Sequence, residues 1–172
     1  YLVPTPIGNL RDITLRALEV LTKVDLILAE DTRMTKKLLN QYEINTKTKS
    51  YHVYNEHKAL SKIINLLISG NNIALVSNSG FPCISDPGFT LVREVISKGI
   101  DLESLPGASS IIPALTQSGF PTTGFIFEGF LPKKKGRQKK ILELSKEKRT
   151  VILFESPYRL IKLLNEIKDI CG

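Results

Sequence analysis

The chain has 172 residues, 42% hydrophobic and 24% charged, with a formal net charge of +7. This fits one or two globular domains and excludes a disordered tail or a membrane-embedded chain. No apolar run approaches the roughly 18 residues that a spanning helix requires. Tyr1-Leu2-Val3-Pro4 lacks the basic-then-apolar order of a secretory signal, so a cytoplasmic location is expected. Cys83 and Cys171 lie far apart with no second pair, which argues against a disulfide framework and against a bound metal.

Through residue 119, apolar runs of strand length alternate with stretches of helical period. Leu2-Val3 opens a strand before Pro4, and Ile13, Leu15, Ala17, Leu18 and Leu21 share one helical face. A second strand is expected at Asp25–Ala29, and a weaker third at Lys49–Tyr51. Leu60, Ile63, Ile64, Leu67 and Ile68 form another helical face, followed by a fourth strand at Ile73–Val76. Leu91, Val92, Val95 and Ile96 give a further helix, and Leu102–Leu105 a fifth strand. Strict βα alternation predicts a parallel five-stranded α/β domain over residues 1–119, with ligands outside the carboxyl ends of the strands.

The stretch Gly119-Phe120-Pro121-Thr122-Thr123-Gly124 reads as a linker. Beyond it, residues 120–172 are expected to form a partial second α/β domain. Its expected elements are a strand at Phe125–Glu128, a basic helix from about Arg137, a strand at Val151–Glu155 and a helix from Pro157. Residues 1–128 hold 12 Lys/Arg and 12 Asp/Glu, whereas residues 129–172 hold 12 against 5. All of the excess charge sits at one end of the chain, a pattern that suits a polyanionic partner.

Four loops follow strands and are rich in residues that let a backbone approach a ligand. Pro4-Thr5-Pro6-Ile7-Gly8-Asn9 has prolines where a dinucleotide fold has glycines, so it is a poor phosphate cradle and a better source of carbonyls and apolar wall. In Glu30-Asp31-Thr32-Arg33, two adjacent carboxylates can accept a proton or hold a ribose, and Asp31 can equally cap the next helix. Ser77-Asn78-Ser79-Gly80-Phe81-Pro82 reads as the wall of a ligand crevice. Asp86-Pro87 after it reads as an N-cap and first helical position. The hydroxyls of Ser109 and Ser110, after Pro106-Gly107-Ala108, can bond a ligand or begin a helix. The run Lys133-Lys134-Lys135-Gly136-Arg137-Gln138-Lys139-Lys140 places six positive charges in eight residues and suits a clamp on a phosphate backbone. His52 and His57 have no third ligand at metal spacing and read as surface or capping residues.

The blocks Tyr1-Leu2-Val3-Pro4-Thr5-Pro6-Ile7-Gly8-Asn9-Leu10, Ala29-Glu30-Asp31-Thr32-Arg33, Ser85-Asp86-Pro87-Gly88, Pro106-Gly107 and Glu128-Gly129-Phe130-Leu131-Pro132 resemble the ribosomal RNA small subunit methyltransferase I family of the tetrapyrrole methylase superfamily. They occur in the family's order over nearly the whole chain. The resemblance implies two α/β domains with S-adenosylmethionine in the cleft between them, a homodimer, and 2′-O-methylation of a cytidine in 16S ribosomal RNA. It implies cofactor contacts at Ile7, Asn78, Phe81, Ser109 and Ser110. With it, Glu30 or Asp31 is the expected proton acceptor and Glu155 the reserve, while Arg33, Lys133, Lys134, Lys135, Arg137, Lys139 and Lys140 are expected to hold RNA phosphates. The family motif D-A-G-T-P stands here as Asn78-Ser79-Gly80-Phe81-Pro82, so an amide replaces a carboxylate. The family also continues past Gly172, which makes the chain look incomplete at its C-terminus. Two other activities fit the same residues less well: methylation of a tetrapyrrole or other small acidic substrate, and RNA binding without catalysis.

Overall fold

The computed structural model describes residues 1–172. They form two compact units, Tyr1–Ser110 and Ile111–Gly172. The division falls at 110/111 rather than at 119/120, because the helix at Ile111–Gln117 belongs to the second unit and the punctuated stretch follows it.

In the first unit the order is β1 (Leu2–Val3), α1 (Leu15–Lys23), β2 (Leu26–Ala29), α2 (Thr32–Gln41), β3 (Thr48–Ser50), α3 (Glu56–Ile68), β4 (Ile73–Val76) and α4 (Phe89–Ser97). The strands form one sheet in the order β1-β4-β2-β3, parallel throughout. Every residue of β2 and β4 is buried, as expected of central parallel strands covered on both faces. Their side chains divide by alternation. Ile27, Ala29, Ala74 and Val76 join one core with Ala17 and Leu21 of α1 and Leu39 of α2. Leu26, Leu28, Ile73 and Leu75 join the other with Ile63 and Ile64 of α3 and Leu91 and Val95 of α4.

The fifth expected strand is reduced. Leu102–Leu105 runs beside β1 but makes a single parallel bridge, Leu2 to Ser104, through Leu2 N–H to Glu103 O at 2.8 Å and Leu105 N–H to Leu2 O at 3.0 Å. Its only neighbour is β1, which is two residues long and is followed by Pro4, a residue with no N–H to extend a ladder. The first unit is therefore a four-stranded sheet with a bridged edge.

A second difference lies before α4. The helix begins at Phe89 with Gly88 as its N-cap, so Asp86 does not cap it. Gly88 has φ +133°, and a Cβ there would lie 2.5 Å from Cys83 Sγ and 2.6 Å from Leu75 Cδ2. Cys83 and Ser85 also have positive φ, at 68° and 61°. A loop with three such residues is held by its surroundings and not by its local preference.

The second unit contains α5 (Ile111–Gln117), β5 (Phe125–Phe130), α6 (Arg137–Leu144), β6 (Thr150–Phe154) and α7 (Leu160–Cys171). β5 and β6 pair in parallel with a register shift between Phe127 and Gly129. Leu131, Ile141 and Leu163 form its small core. No helix of the protein is long and apolar enough to cross a membrane.

Gly88→Ala is expected to cost about 2 kcal/mol or more, since it meets both the positive φ and the contacts with Cys83 and Leu75. A lower urea midpoint at unchanged m-value checks this.

Candidate active site

The loop after β1 turns back and pairs with the loop after β4. Thr5 and Gly80 form an antiparallel bridge, Thr5 N–H to Gly80 O at 2.9 Å and Gly80 N–H to Thr5 O at 2.8 Å. Buried hydroxyls close the join: Thr5 Oγ1 donates to Ser77 O at 3.1 Å, and Ser77 Oγ donates to Gly80 O at 2.9 Å. The loop after the bridged edge strand meets the same point. A Cβ on Gly107 would lie 2.9 Å from Pro4 Cβ, so only glycine lets these loops touch there. The Gly80 Cβ position lies 3.3 Å from Ile7 Cδ1 and 3.8 Å from Ala108 O. Three of the loops singled out in the sequence thus converge on Gly80, bringing Ile7 within reach of the third and fourth loops. Ile7 is 37% exposed, and Ser110 is also exposed.

The loop after β2 joins from the other side. Asn78 Nδ2 donates to Glu30 Oε2 at 2.9 Å, and Asn78 Oδ1 accepts from Asp31 N at 3.3 Å. An aspartate at 78 would place a second carboxylate against Glu30, whereas the amide offers that carboxylate a donor.

Asp31 and Glu30 have separate roles. Asp31 caps α2 by accepting from Arg33 N–H at 2.9 Å, and its two oxygens also hold Arg33 Nε at 3.0 Å and Nη2 at 2.7 Å. The guanidinium holds its carboxyl down to about 2, which weakens Asp31 as a proton acceptor. Glu30 keeps one carboxylate oxygen beyond its bond to Asn78.

Glu155, the expected reserve base, is engaged by two arginines. Its side chain is 4% exposed and bound by Arg137 Nη2 at 3.2 Å and Arg159 Nη2 at 2.6 Å. Arg159 foremost, with the Ser156 N–H, holds its pKa below the usual carboxylate range. Arg137, expected on RNA, is buried between Glu155 and Glu166 and donates to Pro132 O at 3.3 Å, so it is a structural cation of the second unit. Removing it would leave Glu155 with Arg159 alone and take from Glu166 its closest cation, which should destabilise the second unit. Lys140 is paired with Glu128 at 2.8 Å. Lys133, Lys134, Lys135 and Lys139 remain exposed, as does Arg33.

Asp86 does not take the helix-capping role expected of it. It is half-buried, and burial followed by the charge of Glu30 pushes its carboxyl up to about 6. Gly88 two residues on was the signal, because glycine is a poor helix interior residue and a ready cap. The neighbouring Cys83 thiol is pushed up to about 11, mainly by burial, and is not a ready nucleophile. No group of three His, Cys, Asp or Glu side chains comes together as a metal site.

A sequence profile of the tetrapyrrole (corrin/porphyrin) methylases matches residues 1–171. The chain belongs to the tetrapyrrole methylase family. Among relatives of this chain is the ribosomal RNA small subunit methyltransferase I of Vibrio cholerae, 50% identical over 173 residues, covering 100% of this chain and 60% of the relative. The protein of the same name from Thermotoga maritima is 49% identical over 171 residues, covering 99% of this chain and 77% of the relative. The chain thus spans from about three-fifths to about three-quarters of the length of these relatives. Two solved structures share the fold. A cobalt precorrin-4 methyltransferase has a TM-score of 0.67 at 18% identity, covering 93% of this chain and 70% of its own. The uroporphyrin-III-C-methyltransferase of Thermus thermophilus has a TM-score of 0.65 at 20% identity, covering 97% and 71%.

Asp86 predicts a pH dependence of stability. Its folded pKa of about 6 lies above the ordinary 3.8, so the folded state holds the proton more tightly and loses stability as pH rises from about 4 to about 6. Asp86→Asn, neutral at every pH, should raise the thermal midpoint at pH 8 and leave it unchanged near pH 4.

Proposed function

We propose that the whole protein is an S-adenosylmethionine-dependent methyltransferase that places a methyl group on the ribose 2′-oxygen of a cytidine in 16S ribosomal RNA. Its substrate form is the small ribosomal subunit, and it works in the cytoplasm as a homodimer. The observation that carries this reading is identity of about one half, along essentially the full chain, to relatives named ribosomal RNA small subunit methyltransferase I.

The loops at Gly80 suit the cofactor. S-adenosylmethionine supplies an electrophilic methyl group when bound. It combines an apolar and hydrogen-bonding nucleoside with a positive sulfur, and it carries no phosphate. Pro4 and Pro6 withhold N–H donors, while the loops contribute carbonyls, the apolar side chains of Ile7 and Phe81, and the hydroxyls of Ser109 and Ser110. Together with Asn78, these are the residues that would hold it.

The chain's own tasks follow from the acceptor. A ribose hydroxyl is a weak nucleophile at neutral pH, so the site must align it and accept its proton. Glu30 is the acceptor in this reading, since Asp31 and Glu155 are occupied by arginines. Asn78 orients Glu30 through the 2.9 Å bond. Arg33 and the four exposed lysines at 133, 134, 135 and 139 meet RNA phosphates.

The test uses full-length protein, labelled S-adenosylmethionine and small subunits from cells lacking the enzyme, with the labelled nucleotide mapped. Label on one cytidine ribose is expected. Cofactor binding without transfer to RNA would favour methylation of a small acidic molecule instead. Glu30→Gln should lower the transfer rate about a hundredfold or more with cofactor affinity retained.

Lys133, Lys134, Lys135 and Lys139 predict a salt response. Four counterions released at these lysines contribute about −3 to the log–log slope for binding single-stranded RNA, less than the roughly −4 expected of all six charges of the segment. Replacing these lysines together with alanine should leave only the slope of about −0.7 that Arg33 contributes.

A further inference from the structure

A cavity of about 390 Å³ opens in the first unit between the loop after β1, helix α2 and the loop after β4. It lies across the first loop from the Ile7–Gly80–Ala108 contact, and Asn78 borders it. Its size is that of a small-molecule site. Pro6, Leu10 and Met34 supply apolar walls, and Lys37 stands on the same α2 segment. Met34 is 47% exposed and Leu10 43%, so both present side chains to an occupant. Thr35 contributes the remaining observation. It lines the cavity at 5% exposure, yet its hydroxyl bonds no carbonyl or side chain. Helical threonines elsewhere in the chain bond back to the preceding turn, Thr22 to Leu18 O at 2.8 Å and Thr116 to Ile112 O at 3.0 Å. A hydroxyl with no protein partner at a cavity wall is free to bond an incoming polar group.

We infer that this cavity receives a single unstacked pyrimidine nucleotide, the acceptor itself, with the base between Met34 and Leu10, its polar edge on Thr35 and its phosphate at Lys37. The inference rests on the RNA-methylation reading and specifies where that substrate sits. An acceptor must lie beside the cofactor loops, and this cavity shares Asn78 with them. Apolar walls, one hydroxyl without a protein partner and one exposed ammonium match a flipped-out nucleotide, whose base is read by apolar contact and by its hydrogen-bonding edge. A lysine serves phosphate as a point charge.

The chain has a single methionine, so Met34 provides one reporter signal inside the cavity. With the methionine methyl labelled by carbon-13 and the resonance identified by its loss in Met34→Leu, cytidine 5′-monophosphate should shift it saturably. The shift should be upfield, because a stacked base shields the methyl through its ring current. Ribose 5-phosphate should not reproduce it. Thr35→Val, nearly the same shape, should weaken cytidine monophosphate binding about fivefold with an unchanged melting temperature. In full-length protein it should raise KM for small subunits more than it lowers kcat. A Met34 signal that cytidine monophosphate leaves in place, or that ribose 5-phosphate moves equally, would overturn the assignment. So would a Thr35→Val enzyme with wild-type KM. The two readings separate cleanly: labelled subunits with a silent Met34 remove the cavity assignment alone. A Met34 ring-current shift without transfer to RNA supports a nucleotide site while removing the RNA-methylation reading.

Discussion

Pro4 governs the arrangement at the carboxyl edge of the sheet. It ends β1 after two residues by withholding an N–H, and the chain then reverses so that Thr5 pairs antiparallel with Gly80. That reversal carries Ile7 onto the loop after β4 and leaves Gly107 against Pro4 itself. The bridged edge at Ser104 is the other consequence, since so short a strand gives its neighbour little to pair with. Loops of this kind are positioned by two backbone hydrogen bonds and two buried hydroxyls, not by their own stiffness. Precise placement of a small ligand requires such support.

The electrostatics of the two units follow one rule: a carboxylate bound by arginine is a structural group, and one left with a neutral partner is available. Asp31 and Glu155 are of the first kind, and Glu30, facing an amide, is of the second. Arg137 shows the same logic from the cationic side. Its position in a lysine-rich run suggests a surface charge, yet it lies buried between two glutamates and organises the small core of the second unit. The residues around it that stay in water are lysines, whose strongly hydrated ammonium groups resist burial.

Solved structures with under 25% identity share this fold, and the two described carry tetrapyrrole-pathway names. Fold alone therefore says little about the acceptor. What differs between a macrocycle and a nucleotide is size, flatness and phosphate, and these are read by particular side chains. The cavity beside α2 and the exposed lysines of the second unit are the places where such a difference would be expressed.

Much of the architecture was legible in the sequence. Unbroken apolar runs at Leu26–Ala29 and Ile73–Val76, alternating with helical faces, pointed to a parallel sheet covered on both sides, because strands buried on both faces carry no polar alternation. The P-T-P-I-G-N and A-E-D-T-R blocks marked the loops that meet at the sheet's edge. Only the tertiary structure decided which ionisable groups are free. Asp86 lost its capping role to Gly88, Arg137 lost its solvent, and Lys37 came to line a cavity. Each of these depends on what lies next to a side chain from a distant part of the chain. A residue's type sets what it can do, and its burial and partners, which local pattern does not carry, set what it does.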